Sequence, residues 1–204
     1  QACVAPVLDQ VQPVLILVSA PGLQKRRMLA DERHLAGDPE LVVDRHRTRR
    51  LCDRLNAAGN ADQAARDGAL TELLRSIGEG TEVLSPFHCD YGFQITIGAR
   101  SFINFGAVIL DSAAVRIGND VQIGPGAHLI TPTHPLDADE RRTGIELASP
   151  IVLSDDVWLA ARVTVLPGVT IGDGAVVGAG SVVTRDMPAR HLCFGSPCRP
   201  IRPI

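Results

Sequence analysis

The chain has 204 residues, 45% of them hydrophobic, which is enough for one domain with a core and a small appendage. Its formal net charge of −3 gives no electrostatic case for nucleic acid as a partner. Aromatic residues make up only 3% and glycines number 19, so the core must be filled by Val, Ile, Leu and Ala, as in a narrow prism with sharp corners. The five cysteines (Cys3, Cys52, Cys89, Cys193 and Cys198) form no CxxC pair, which reads as reduced thiols in a cytoplasmic protein and argues against a zinc site.

Residues 13–20 form an apolar run too short for a bilayer, which takes about 20 apolar residues. No Lys or Arg precedes the run, as one would in a signal peptide. Residues 1–27 are therefore read as an N-terminal extension, expected to be disordered, with Met28 an original start. Asp38-Pro39-Glu40 predicts a helix start: Asp caps, Pro sits where its missing N–H is harmless, and Glu favours the positive helix end. That helix is expected to reach about residue 56. Its basic residues Arg45, His46, Arg47, Arg49, Arg50 and Arg54 make either a solvated face or an anion site. After Gly59-Asn60 a second helix is expected to use Leu70, Leu73, Leu74 and Ile77, and to end at Gly78 and Gly80. Residues 28–80 thus read as a helical segment capping the open end of residues 81–188.

Over residues 81–188 the pattern changes. Ile97, Ile103 and Ile109 are spaced by six; two residues are inserted near Asp111 and Ser112; the count resumes at Ile117, Ile123 and Leu129. Leu153, Leu159, Val165, Ile171, Val177 and Val183 continue it. A period of six fits neither an ordinary strand nor a helix. It fits a coil of short strands and tight turns whose aliphatic residues share one interior, each coil stacking on the next. Leu129 and Leu153 are 24 residues apart, four periods, so residues 131–150 leave the coil and return in register. That excursion carries Thr133-His134-Pro135 and a charged run at 137–142, and is the first place to look for function.

Before the excursion, Asp90-Tyr91-Gly92-Phe93 gathers polar and aromatic groups, including the only tyrosine, and Asn104 follows an inward Ile103 as a turn residue or a site residue. Thr184-Arg185-Asp186-Met187-Pro188 closes the coils. The tail at 189–204 is rich in Pro and Arg and reads as an edge strand or an extended arm.

A resemblance enters at Met28-Leu29-Ala30, Asp38-Pro39-Glu40-Leu41, Phe87-His88-Cys89-Asp90-Tyr91-Gly92, Ile103-Asn104-Phe105, Thr133-His134-Pro135, Val157-Trp158, Leu166-Pro167-Gly168-Val169-Thr170-Ile171-Gly172 and Gly178-Ala179-Gly180-Ser181-Val182-Val183-Thr184. Over residues 28–204 the chain resembles the maltose and galactoside O-acetyltransferases. The resemblance implies a mainly β fold, a left-handed parallel β-helix with a short helical segment before it and a protruding active-site loop. It also implies a homotrimer with active sites between subunits, and acetyl transfer from acetyl-CoA to a hydroxyl of a sugar or sugar-like acceptor, with no metal and no membrane. The hand comes from the resemblance alone, because parallel crossovers are normally right-handed.

By the same resemblance His134 is the general base; imidazole titrates near neutrality, where a base works best. Asn104 matches the active-site asparagine, and the backbone N–H of Ala161 falls where the oxyanion forms. Asp90, Tyr91 and Asp111 occupy acceptor-side positions, and Glu146 lies on the returning arm of the loop; each carboxylate also reads as a turn or salt-bridge residue. The pantetheine arm is expected near Trp158, Ala161 and Ala179. The phosphates are expected near Thr184, Arg185, Arg199 and Arg202, since the guanidinium fork suits phosphate, although tail arginines also serve solubility.

The departures fall in three places. Asp31-Glu32-Arg33-His34-Leu35 stands where the family commonly has Gly-Glu-Leu-Tyr followed by Asp or Asn, which implies an altered acceptor pocket around an unaltered catalytic centre. Gly106 replaces a frequent Asn or Asp, and Leu159-Ala160-Ala161 replaces Ile-Gly-Gly or Ile-Gly-Ala. The acceptor is a sugar, an oligosaccharide signal or an antibiotic. Two rival readings remain: a metalloenzyme resembling γ-type carbonic anhydrases, suggested by His128 and His134 six apart, and a non-catalytic scaffold.

Overall fold

The computed structural model describes residues 21–204; the apolar run at 13–20 and Cys3 lie outside them. The six-residue period folds as expected, into a left-handed parallel β-helix. Its strands are two to four residues long, apart from the two longer ones of the closing hairpin at 191–203, and form three sheets of five, five and seven strands, one sheet per face of the coil. Each inward residue meets its counterparts in the coils above and below: Ile103 pairs with Val83 and Ile123, Leu129 with Ile109 and Val165, and Ile117 with Ile97 and Leu153. These side chains are buried. Each contributes on the order of 1.5–3 kcal/mol relative to exposure.

The corners need special backbone. At one corner Gly106, Gly126, Arg162 and Gly180 all have positive φ; at the next, Gly80, Arg100, Asp120, Asp156, Gly174 and Arg190 do. Gly, Asn and Asp enter this region most readily, which accounts for the exchange at Gly106. At Gly124 the requirement is space, since a Cβ there would stand 2.7 Å from the Ala160 backbone of the next coil.

The third corner tolerates extra chain, and all the insertions fall there. Asp111 organises it. Buried at 0% exposure, its Oδ1 accepts from the N–H groups of Asp90 (3.1 Å) and Tyr91 (2.8 Å) and its Oδ2 from that of Gln94 (3.3 Å). Burial pushes its carboxyl up to about 7, against the pull of the Tyr91 and Gln94 N–H groups.

The cap comprises α1 (Leu23–Leu29), α2 (Pro39–Ala58) and α3 (Gln63–Leu73). Asp38 caps α2 by accepting from Glu40 N–H at 3.0 Å, and Asp62 caps α3 through Ala65 N–H at 3.0 Å. Leu51, Leu55, Leu70 and Leu73 join the solenoid core and close its open end. Two boundaries differ from expectation. Helix α1 begins at Leu23, ahead of Met28, and Lys25 ties it to Asp44 (2.8 Å) and Glu40 (3.4 Å) on α2, so ordered chain reaches into the segment read as disordered. Helix α3 stops at Leu73, and Ser76–Ile77 is already a solenoid strand, paired in parallel with Thr96 and Ile97. The spacing Leu70, Leu73, Leu74, Ile77 fits a helix, but the carbonyl of Ile97 accepts the Gly78 N–H and draws Ile77 into the ladder. At the other end His191–Gly195 extends the third sheet beside Val176 and Val177, and Cys198–Pro203 folds back antiparallel as an edge hairpin.

Replacing Asp111 with Ala leaves buried N–H groups without acceptors, at about 1–3 kcal/mol for such a group. The Asp111→Ala variant is expected to lose about 3 kcal/mol in urea unfolding, and a loss below about 0.5 kcal/mol would show that the turn at 90–94 holds itself.

Candidate active site

The excursion is a hairpin. Pro132–Thr133 pairs antiparallel with Ile145–Ala148, and the short helix α4 (Ala138–Arg142) sits between them. Arg141 Nη1 donates to the carbonyls of Pro135 and Leu136 at 3.0 Å each and fixes the turn after His134. At its base Thr131 Oγ1 donates to Leu110 O at 2.7 Å and accepts from Ala113 N–H at 2.9 Å. The strand His34–Leu35 from the cap docks on the far side of Ile145–Ala148, with His34 opposite Glu146. The returning arm of the loop is therefore the middle strand of a three-stranded sheet, held from both sides.

Register bears on His134. Pro132 pairs with Ala148 and Thr133 with Leu147, and His134 follows Thr133 directly, near enough to Glu146 for its charge to act on that carboxylate. His134 is exposed. The Glu146 carboxylate accepts from Ser112 Oγ at 2.8 Å and stands 3.4 Å from His34 Nε2, both at Oε1. Burial alone would raise its pKa, but the close approach of His34, the Ser112 hydrogen bond and the charges of His34 and His134 outweigh it and hold Glu146 low. Asp90 lies beside this group; burial raises its pKa and the Glu146 charge raises it further.

A second group occupies a different corner. Asn104, Trp158 and Ala161 line one groove of about 290 Å³ with Phe102, Gln122 and Gly124. Asn104 Oδ1 accepts the Phe105 N–H at 2.8 Å, which leaves its amide NH2 as the free donor. The Ala161 N–H has no partner among the described residues, and Ala161 O accepts from Gly180 N–H at 2.9 Å, stacking this corner on Ala179. No residue of the loop lines the groove. Between the two groups runs Ala107–Leu110, whose four residues span about 13 Å.

The remaining residues divide by burial. Tyr91 is 1% exposed; its hydroxyl accepts from Arg45 Nη1 at 2.5 Å and it packs with Met28 and Leu41. Burial pushes its phenol up to about 12. Tyr91 and Asp111, both expected on the acceptor side, are thus interior supports in this chain, because the turn that carries Asp90 is built on them. Among the described residues Arg199 and Arg202 donate only to neighbouring carbonyls, Cys198 O at 2.7 Å and Pro203 O at 3.2 Å. Thr184 and Arg185 are exposed at the loop's corner. His128 opens the strand His128–Ile130 on an outer face, and among the described residues no three His, Cys, Asp or Glu side chains cluster as a metal site. Sequence reasoning passed over His34 and Ser112. The signal for His34 was its place in the departing segment at 31–35, which also lines a cleft of about 740 Å³ with Gln24, Arg27, Ile145 and Leu147.

Comparisons with known proteins agree with this architecture. The maltose acetyltransferase hexapeptide capping motif matches residues 27–78, and the bacterial transferase hexapeptide (six repeats) matches residues 150–185. Nodulation protein L of Rhizobium meliloti (strain 1021) is 44% identical over 176 residues, covering 86% of this chain and 96% of that protein. The crystal structure of a maltose O-acetyltransferase from Clostridium difficile 630 superimposes with a TM-score of 0.87 at 37% identity, over 89% of this chain and 97% of the other. A hexapeptide-repeat acetyltransferase from Vibrio cholerae O1 biovar eltor, complexed with acetyl coenzyme A, does so with a TM-score of 0.82 at 37% identity, over 88% and 97%. With capping motif, repeats and near full-length relatives in agreement, the chain belongs to the maltose O-acetyltransferase family of hexapeptide-repeat acetyltransferases.

Proposed function

We propose that this acetyltransferase moves an acetyl group from acetyl-CoA to a hydroxyl of a sugar or sugar-like acceptor, in a cytoplasmic homotrimer whose active sites lie between neighbouring subunits. The observation that carries this reading is the separation within one chain: the His134 group lies on one corner and the Asn104 groove on another. A second copy packed corner to corner supplies the missing half of each. Exposed apolar side chains support such a contact. Trp158 is 52% and Phe105 51% exposed at the groove corner, and Leu136, two residues after His134, is 97% exposed.

In the chemistry of this reading, His134 removes the proton of the acceptor hydroxyl as its oxygen attacks the thioester carbonyl. The oxyanion of the tetrahedral intermediate takes the Ala161 N–H, and the Asn104 amide holds the acceptor oxygen. As the intermediate collapses, the C–S bond breaks and the departing sulfur receives the proton from His134, leaving an acetyl ester and free CoA. Asp90 offers carboxylate oxygens to the acceptor's other hydroxyls, on the turn that Asp111 and Tyr91 support, while Glu146 stands near His134 on the returning arm of the loop. The pantetheine runs along Trp158, Ala161 and Ala179, and Thr184, Arg185, Arg199 and Arg202 meet the phosphates; the acetyl-CoA complex of the Vibrio cholerae relative supports this donor.

Three measurements test the reading. His134→Ala is expected to lower kcat by about 10²–10⁴ in CoA-thiol release over a panel of sugars, with acetyl-CoA binding retained; wild-type rates would remove His134 from the reaction. Arg199→Ala with Arg202→Ala is expected to raise KM for acetyl-CoA roughly ten-fold with kcat unchanged, and an unaltered KM would place the phosphates elsewhere. Co-expressed His134→Ala and Asn104→Ala chains are expected to recover about a quarter of wild-type activity, because in randomly mixed trimers that share of interfaces joins an intact His134 to an intact Asn104. No recovery would mean that each site is built within one chain.

A further inference from the structure

The departing segment at 31–35 reaches further than an acceptor pocket. His34 is 2% exposed, on the strand that pairs with the loop. Its Nδ1 stands 3.1 Å from the carbonyl oxygen of Glu32, which only accepts, so Nδ1 carries a proton. Its Nε2 stands 3.4 Å from Glu146 Oε1, an oxygen that already accepts from Ser112 Oγ at 2.8 Å. Nε2 has no hydrogen-bond partner among the described residues, and the carboxylate oxygen nearest to it favours a proton on that nitrogen. With Ser112 and His34 both on Oε1, Oε2 has no hydrogen-bond partner among the described residues. Continuing the loop register by one residue past Thr133–Leu147 would bring His134 across from Glu146, on the side away from His34, and the His134 charge does act on Glu146. Cross-strand neighbours of this kind have Cβ atoms about 4.5–5.5 Å apart.

We propose that His34 is a positioning residue for catalysis: as a buried cation it clamps one oxygen of Glu146, so that the other orients the His134 ring. This rests on the reading of His134 as the base. The row His34, Glu146, His134 follows the logic by which a catalytic histidine is held by a carboxylate, with one more charged group behind the carboxylate. The groups around His34 suit the role. Glu146 faces it from the loop; Arg45 of α2 opposes its charge, but that guanidinium is engaged by Tyr91 Oη and Ala36 O; Asp90 and His134 interact by charge with Glu146. Burial by itself lowers the His34 pKa, and the adjacent Glu146 carboxylate and the Glu32 carbonyl overcome this and raise it. A raised histidine pKa means that the clamp is complete below the ordinary value of about 6.5 and is lost as pH rises through the folded-state value.

The experiment uses the full-length protein with His34→Phe and His34→Gln, with His134→Ala alongside, and follows kcat from about pH 6 to about pH 10. Phe removes the donor. Gln keeps a donor without a titrating charge. The expected result is a loss of kcat of roughly ten-fold in His34→Phe, recovery to within about three-fold in His34→Gln, and an alkaline fall in wild-type kcat that is absent from His34→Gln. Should His34→Phe fail to fold, the profile of His34→Gln decides by itself, since a merely structural histidine would leave the alkaline fall in place. A wild-type kcat in His34→Phe, equal impairment of both variants, or an unchanged alkaline fall in His34→Gln would each overturn the proposal. His134→Ala separates the two readings: if it stays active the base assignment fails, whereas an inactive His134→Ala beside indifferent His34 variants sinks the clamp alone.

Discussion

Contact between inward aliphatic side chains of successive coils is the constraint on which the rest depends. Ile97, Ile117 and Leu153 stack through paired strands of one face, and a slip of one residue would turn every side chain of a strand outward. Extra chain is therefore admitted only where it restores the register. In this protein that place is a single corner, which holds the turn at 90–94, the insertion at Asp111 and Ser112, and the excursion at 131–150. Polar chemistry gathers there because residues at that corner are excused from filling the core.

That freedom carries an energetic demand. The corner buries Asp111, His34 and much of Glu146, and an unpaired charge removed from water costs several kcal/mol. Asp111 meets the demand with backbone N–H groups and Glu146 with Ser112 and His34. The same bonds that satisfy the buried groups immobilise the turn and the loop. Low surrounding dielectric strengthens each bond and makes the loss of any one more damaging. Rigidity at the loop is thus a by-product of burying its anchor, and the segment from the cap is part of that anchor rather than a separate lid.

The groove corner follows the opposite rule. Tight turns built from Gly106, Gly124 and Gly126 keep neighbouring coils close, and the surface they leave is shallow and apolar, with Trp158 and Phe105 standing out. A shallow groove gains depth only from something laid against it. The fold therefore pairs a polar, well-anchored loop with an apolar wall on a different corner of the same prism.

How much of this was legible depended on whether a residue's role was set by local pattern or by distant partners. The six-residue period carried the solenoid, because one branched aliphatic per strand is a local requirement that every coil repeats. The return of the phase at Leu153 exposed the excursion for the same reason. The hand of the coil was not in the period, since either hand buries the same residues. The first coil was hidden because Leu70, Leu73, Leu74 and Ile77 satisfy a helical spacing, and only the ladder bond from Gly78 to Ile97 decides for a strand. Tyr91 and Asp111 stood in motifs that read as surface chemistry, yet α2 and the neighbouring turn bury them. By itself the sequence determined the repeat and the capping helices. Tertiary structure alone decided that His34, 112 residues from Glu146 along the chain, stands beside it, because strand pairing joins residues by register and not by sequence distance.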